Sequence, residues 1–136
     1  MTEFKTLREK IAAEKIEREK RYTQFEELFS TAWQLGIDAA NSCVPRPMLV
    51  TDSQGTLVDY VPEGMCGFGW VTVSGNTSFG KWLAKHKKAR KGYPRGIELP
   101  IHAYEQSYER KSAHARAMAD YLRSQGIECW AGSRLD

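Results

Sequence analysis

Cysteine is scarce in this chain, three in 136 residues. Cys43, Cys66 and Cys129 lie far apart, form no CxxC pair and share no metal-ligand spacing with His86, His102 or His114. An odd count does not build a disulfide framework either. The expectation is free thiols, buried or half-buried, in a reducing compartment. Long apolar runs are also missing. No stretch approaches the roughly 18 apolar residues that a membrane span requires. The opening MTEFKTLREKIAAEKIEREK alternates charges and has no apolar signal-peptide core, so the protein is expected to stay where it is made. Glycine and proline are absent from residues 3–21, and acids are absent from residues 81–95.

What is present fits one small globular domain. The chain is 41% hydrophobic and 27% charged, too apolar for a disordered polymer. Its net charge of +3 is small, but the charge is unevenly placed. Seven of the 20 basic residues, Lys81, Lys85, Lys87, Lys88, Arg90, Lys91 and Arg95, fall in residues 81–95. The remainder carries 13 basic against 17 acidic residues. One positive segment on an acidic body is an electrostatic footprint for an anion.

The pattern predicts an α+β fold of order α-β-β-β-α-β-α-β, with a mixed or antiparallel sheet of about five strands. Residues 1–42 read as a long N-terminal helix and 43–136 as the α+β domain. Phe4, Leu7 and Ile11 make a thin apolar stripe that fails at Glu14 and Arg18, so its first half should project or pair with another chain. Tyr22, Phe25, Leu28, Phe29, Ala32, Trp33 and Ala40 make the second half amphipathic. Asp52-Ser53-Gln54-Gly55 reads as the turn of a hairpin, and GFGWVTVS as a third strand. Ser78 is a candidate cap for a helix FGKWLAKHKKA. RGIELPIHAY reads as a strand in which Pro100 favours an edge or a bulge. Gln106 or Ser107 opens the next helix, with Ala113, Ala117, Met118, Tyr121 and Leu122 as its buried face and Gly126 as its stop. IECWAGSRL reads as the last strand.

Two motifs suggest ligand chemistry. Gly75-Asn-Thr-Ser-Phe-Gly80-Lys81 follows a strand and opens a helix, as a phosphate-cradling loop does. Trp82 stands where a Mg²⁺-binding Ser or Thr is needed, which argues against nucleotide hydrolysis. Helix-start amides with Lys81 can still hold a phosphate. In the basic segment, Lys81, Lys85 and Lys88 share a helical face, Lys87, Arg90, Lys91 and Arg95 extend it, and Trp82 and Tyr93 offer rings for a base; Trp82 fits a core position equally well. No catalytic constellation assembles from the sequence. A Cys66–histidine pair requires the fold to bring the two together, and no cofactor is implied.

Gly-Met-Cys66-Gly67-Phe68-Gly-Trp70-Val, Ser78-Phe79-Gly-Lys81-Trp82-Leu83, Gln106-Ser107, His114-Ala115 and the ending Gly132-Ser133-Arg134-Leu-Asp136 resemble a group of small uncharacterised proteins from tailed bacteriophages. The resemblance covers roughly residues 45–136. It implies a phage or prophage accessory protein made in the bacterial cytoplasm, of a kind that inhibits host defences, captures nucleotides or handles DNA. The expected function is non-enzymatic binding of an anionic target: a nucleotide, a nucleic acid or an acidic host-protein surface. Arg134 joins the basic segment as a ligand-binding candidate. The rivals are a small nucleotide-acting enzyme and a helix-mediated interaction protein. A homo-oligomer through the N-terminal helix and no membrane partner complete the expectation.

Overall fold

A computed structural model describes residues 6–92, 95–104 and 107–136. Phe4, Tyr93 and Gln106 lie outside them. The α+β class holds. Helix α1 spans Leu7–Ser42, capped by the Thr6 hydroxyl on the amide of Glu9. Strands β1 (Met48–Thr51) and β2 (Leu57–Val61) form a separate two-stranded antiparallel hairpin. The main sheet contains β3 (Gly67–Val73), β4 (Arg90–Lys91), β5 (Ile97–Pro100) and β6 (Cys129–Leu135), in the order β4-β5-β3-β6, with every neighbour antiparallel. Helix α2 (Ser78–Lys85) follows β3, and α3 (Tyr108–Ser124) links β5 to β6 across β3.

One face of this sheet carries the core. Helix α3 lies on β3 and β6, and α1 packs on α3. Val71, Val73, Leu99 and Cys129 meet Met118, Ala119, Leu122 and the α2 side chains Phe79, Trp82 and Leu83. The second half of α1 closes the cluster with Phe25, Leu28, Phe29 and Trp33, while Leu7, Ile11 and Ile16 remain exposed. The C-terminus of α1 is held by Arg110, whose Nη1 donates to the carbonyls of Ala40 and Cys43 while its Nε donates to Glu63. A guanidinium there satisfies carbonyls that the helix leaves open.

Several local expectations need correction. Thr77, not Ser78, caps α2. That helix ends at Lys85 rather than running to Ala89. Lys87 takes a left-handed conformation (φ 58°), its amide donates to Ala84, and the amide of Lys88 donates to Leu83. This is the Schellman closure usually made by glycine, and Gly126 makes the same closure at the end of α3 (φ 84°). The chain released at Lys88 forms the short strand β4, a sixth strand beyond the five expected. Pro100 lies beyond β4, which pairs only with Ile97 and Glu98, so its missing amide faces an unpaired edge. The buried face of α3 centres on Lys111, His114, Ala115, Met118, Ala119 and Leu122; Ala113, Ala117 and Tyr121 flank it half-buried. Cys129 is buried and Cys43 half-buried, both free as expected, but Cys66 is free and exposed.

Candidate functional site

The face of the main sheet away from the helices is open, and its register fixes what it displays. Directly opposed residues of antiparallel strands point to the same side. Phe68, Trp70 and Thr72 of β3 oppose Arg134, Gly132 and Trp130 of β6. Trp70 and Thr72 also oppose Pro100 and Glu98 of β5, and Glu98 opposes Arg90 of β4. Three large aromatic rings and two arginines thus share one face. Phe68 and Trp130 are exposed and Trp70 is half-buried. A Cβ added at Gly132 would come within 2.5 Å of the Trp70 indole. Trp70 therefore lies across β6 in a space that only glycine leaves.

At one end of this face is a cleft of about 540 Å³, lined by Phe68, Trp70, Arg90, His102, Lys111 and Arg134. It forms where β5 leaves β3: the last link between them is the Ile101 amide on the Gly69 carbonyl. Lys111 starts on the other side of the sheet. A Cβ built on Gly69, which faces the helices, would lie 2.8 Å from the Lys111 carbonyl oxygen and 3.0 Å from its Cβ. The absence of a side chain at Gly69 lets α3 approach this closely. The lysine nitrogen nevertheless ends 5.8 Å from the centroid of Phe68, on the open side. The side chain passes the free edge of β3 beside Gly69.

Only 5% of Lys111 is exposed, and among the described residues no carboxylate pairs with it. Its aliphatic stem is buried, and the residue lines the cleft, where an anion could meet its charge. Arg134 lies over the same ring, 5.0 Å from its centroid, and likewise has no acid partner among the described residues. Phe68 thus attracts both cations through its π system. Glu98, which also lines this cleft, is engaged by Arg90 at 3.1 Å.

The basic segment does not form one site. Lys81, Lys85, Lys87 and Lys91 are exposed, and Arg95 lies beside Trp130 in a separate open cleft of about 440 Å³. Lys85 donates to the Tyr22 hydroxyl at 3.2 Å, and Lys88 lies over the Phe29 ring at 4.8 Å. These two cations cover the aromatic edge of the core. Trp82 is 2% exposed and packs against Phe25, Phe29 and Phe79. It presents no face to a base, so its core reading prevails over the ligand-binding one. Of the described sequence candidates, only Arg90 and Arg134 reach the cleft around Phe68. Lys87, Lys88 and Arg90 line an adjoining groove of about 380 Å³ that shares Pro100 and His102 with it. Lys111, Phe68 and Trp70 are not among the residues that sequence reasoning singles out as ligand-binding.

In the Gly75–Lys81 loop the Thr77 hydroxyl accepts from the Gly80 amide and donates to the Ser74 carbonyl, and the Lys81 amide donates to the Thr77 carbonyl. Two of the amides at the start of α2 are thereby engaged. His86 hydrogen-bonds the Trp82 carbonyl and packs on Tyr22. His114 is fully buried, its Nδ1 2.7 Å from the Tyr104 hydroxyl, and burial lowers its pKa to about 4. It stays neutral near pH 7. Burial also pushes the Cys129 thiol up to about 11, which keeps it protonated and unreactive. No described contact joins Cys66 to a histidine. Among the described residues, no group of three or more His, Cys, Asp or Glu side chains is placed to hold a metal ion, and no helix is long and apolar enough to cross a membrane. Comparison with models of known families, with curated protein sequences and with solved structures gives no match.

Proposed function

We propose that this chain is a non-enzymatic binder of an anionic target, engaged first at the Lys111–Arg134 cleft. The observation that carries the reading is a lysine 5% exposed that shares the Phe68 ring and its cleft with Arg134, neither cation having an acidic partner among the described residues. A phosphate or carboxylate placed between them supplies the missing counter-charge and accepts charge-assisted hydrogen bonds from both. The resemblance to phage accessory proteins supports a setting in the cytoplasm of a bacterial host. Calorimetric titration with tripolyphosphate tests the reading. Lys111→Met and Arg134→Gln should each weaken binding about tenfold, the loss of one charge-assisted contact. Charge reversal at Lys87, Lys88 and Lys91 should cost less. Equal losses in both sets would return the site to the 81–95 segment, and no binding at all would overturn the proposal.

A second reading concerns assembly. Leu7 and Ile11 stay exposed on one face at the front of α1, and a short apolar stripe on such a helix is suited to a second copy of the chain. This association would be modest, because the stripe is short and interrupted by charge.

A further inference from the structure

We infer that the anionic target is a single-stranded nucleic acid laid across the open face of the main sheet. The inference rests on the anion-binding reading above and extends it from one cleft to the whole face. A single nucleotide needs one phosphate contact and one ring. This face offers two cationic stations, each with a ring of its own, and Trp70 between them. At one end are Lys111 and Arg134 on Phe68. At the other, Arg95 shares a cleft with Trp130. Trp130 and Arg134 are four residues apart on β6, a span of about 13 Å in an extended strand. That exceeds the reach of one nucleotide and suits a short run of them.

The rings of this face are placed for stacking. Trp70 rests with its indole against the backbone at Gly132 and lines the cleft around Phe68. Trp130, 44% exposed, stands on the same face, opposite Thr72. Aromatic side chains on such a platform accept any base, because every base has a π face. Charge complementarity favours a polyanion. The acids at this face are Glu98, which lines the Phe68 cleft and is paired with Arg90, and Glu128, which lines the Arg95–Trp130 cleft; against them stand Arg90, Arg95, Lys111 and Arg134, so the face keeps a positive balance. Duplex is disfavoured, because its bases are stacked on one another and present no free faces to the indoles.

Fluorescence anisotropy tests the inference, with labelled oligo(dT) and oligo(U) of about twelve nucleotides, within the range that single-strand sites cover, a duplex of the same length, and thymidine monophosphate as competitor. Both single strands should bind at least tenfold more tightly than the duplex or the mononucleotide and should quench tryptophan emission. Trp130→Ala should weaken oligomer binding about tenfold, and so should Gly132→Ala, which displaces the Trp70 ring without removing it. Lys111→Met should reduce the salt slope by about 0.7. If the mononucleotide binds as tightly as the oligomer, and Trp130→Ala is silent while Lys111→Met weakens both, the single-strand inference fails and the anion site stands. It fails in the same way if only polyglutamate binds in a Lys111-dependent manner. If Lys111→Met with Arg134→Gln leaves every probe unaffected, both readings fail.

Discussion

The two faces of the main sheet carry residues from the same strands and use them in opposite ways. Along β3, Gly67, Gly69, Val71 and Val73 turn toward the helices, and Phe68, Trp70 and Thr72 turn away. The covered face buries its aliphatic residues and uses glycines where α3 presses closest. The open face holds its largest rings where a core would not use them, beside arginines. Large apolar rings kept beside unpaired cations make no contribution to a core. Core packing is thus confined to one face of this sheet, and the proposed binding surface is the other.

The sharpest way to break this division is to exchange its tryptophans. Trp82→Ala should cost about 3–5 kcal/mol, the range for removing a buried aromatic, read by urea denaturation. Trp130→Ala should cost within about 0.5 kcal/mol, as surface substitutions do. Similar losses from both would erase the distinction between the faces. Next in size is Gly69→Val. Its new side chain meets the backbone of Lys111, and overpacking of this kind costs about 1–3 kcal/mol. A neutral result would mean that α3 does not depend on the glycine.

Acid probes the covered face through His114. Its pKa falls from 6.5 to about 4 on folding, so between those values the unfolded chain binds more protons and stability rises with pH. Stability should be full above pH 6.5 and lost progressively as the pH falls toward 4. The contribution from His114 between pH 7 and pH 5 is about 2 kcal/mol, measured as the difference between the native chain and His114→Phe. Identical pH profiles would contradict the assignment. The smallest effect belongs to the front of α1. Deleting residues 1–14 should change stability by less than about 0.5 kcal/mol, while light scattering should show loss of self-association. A full-length chain already monomeric at high micromolar concentration would remove the assembly reading.

Much of the fold is legible in sequence because its signals are local. Gly126 stops α3, Asp52–Gly55 turns the hairpin, and Ser107 caps α3, each through its own backbone chemistry. Where the local signal is atypical, the sequence misleads. Lys87 closes α2 in a conformation that glycine usually takes, so the pattern extends the helix and hides β4. The site is less legible for a different reason. A charge run marks where cations are dense, but it does not distinguish a lysine lying on a core ring, such as Lys88, from one that lines a cleft, such as Lys111. Lys111 sits in an ordinary helical stretch between Arg110 and Ser112. Its burial depends on Gly69, distant in sequence, and on β5 ending early enough to leave an edge. The alternation in GFGWVTV is visible in sequence, but which side of it is covered depends on where α3 lies.

The most direct measurement compares affinity and stability in one variant, Lys111→Met with Arg134→Gln. Both substitutions keep most of the stem that packs on Phe68 and remove only the charge. The melting temperature should stay within about 4 °C of the native value, equivalent to under 1 kcal/mol for a chain of this size, while affinity for oligo(dT) falls at least a hundredfold, two contacts of about tenfold each. Retained affinity, or a loss of affinity explained by unfolding, would contradict the claim that the open face is the binding surface.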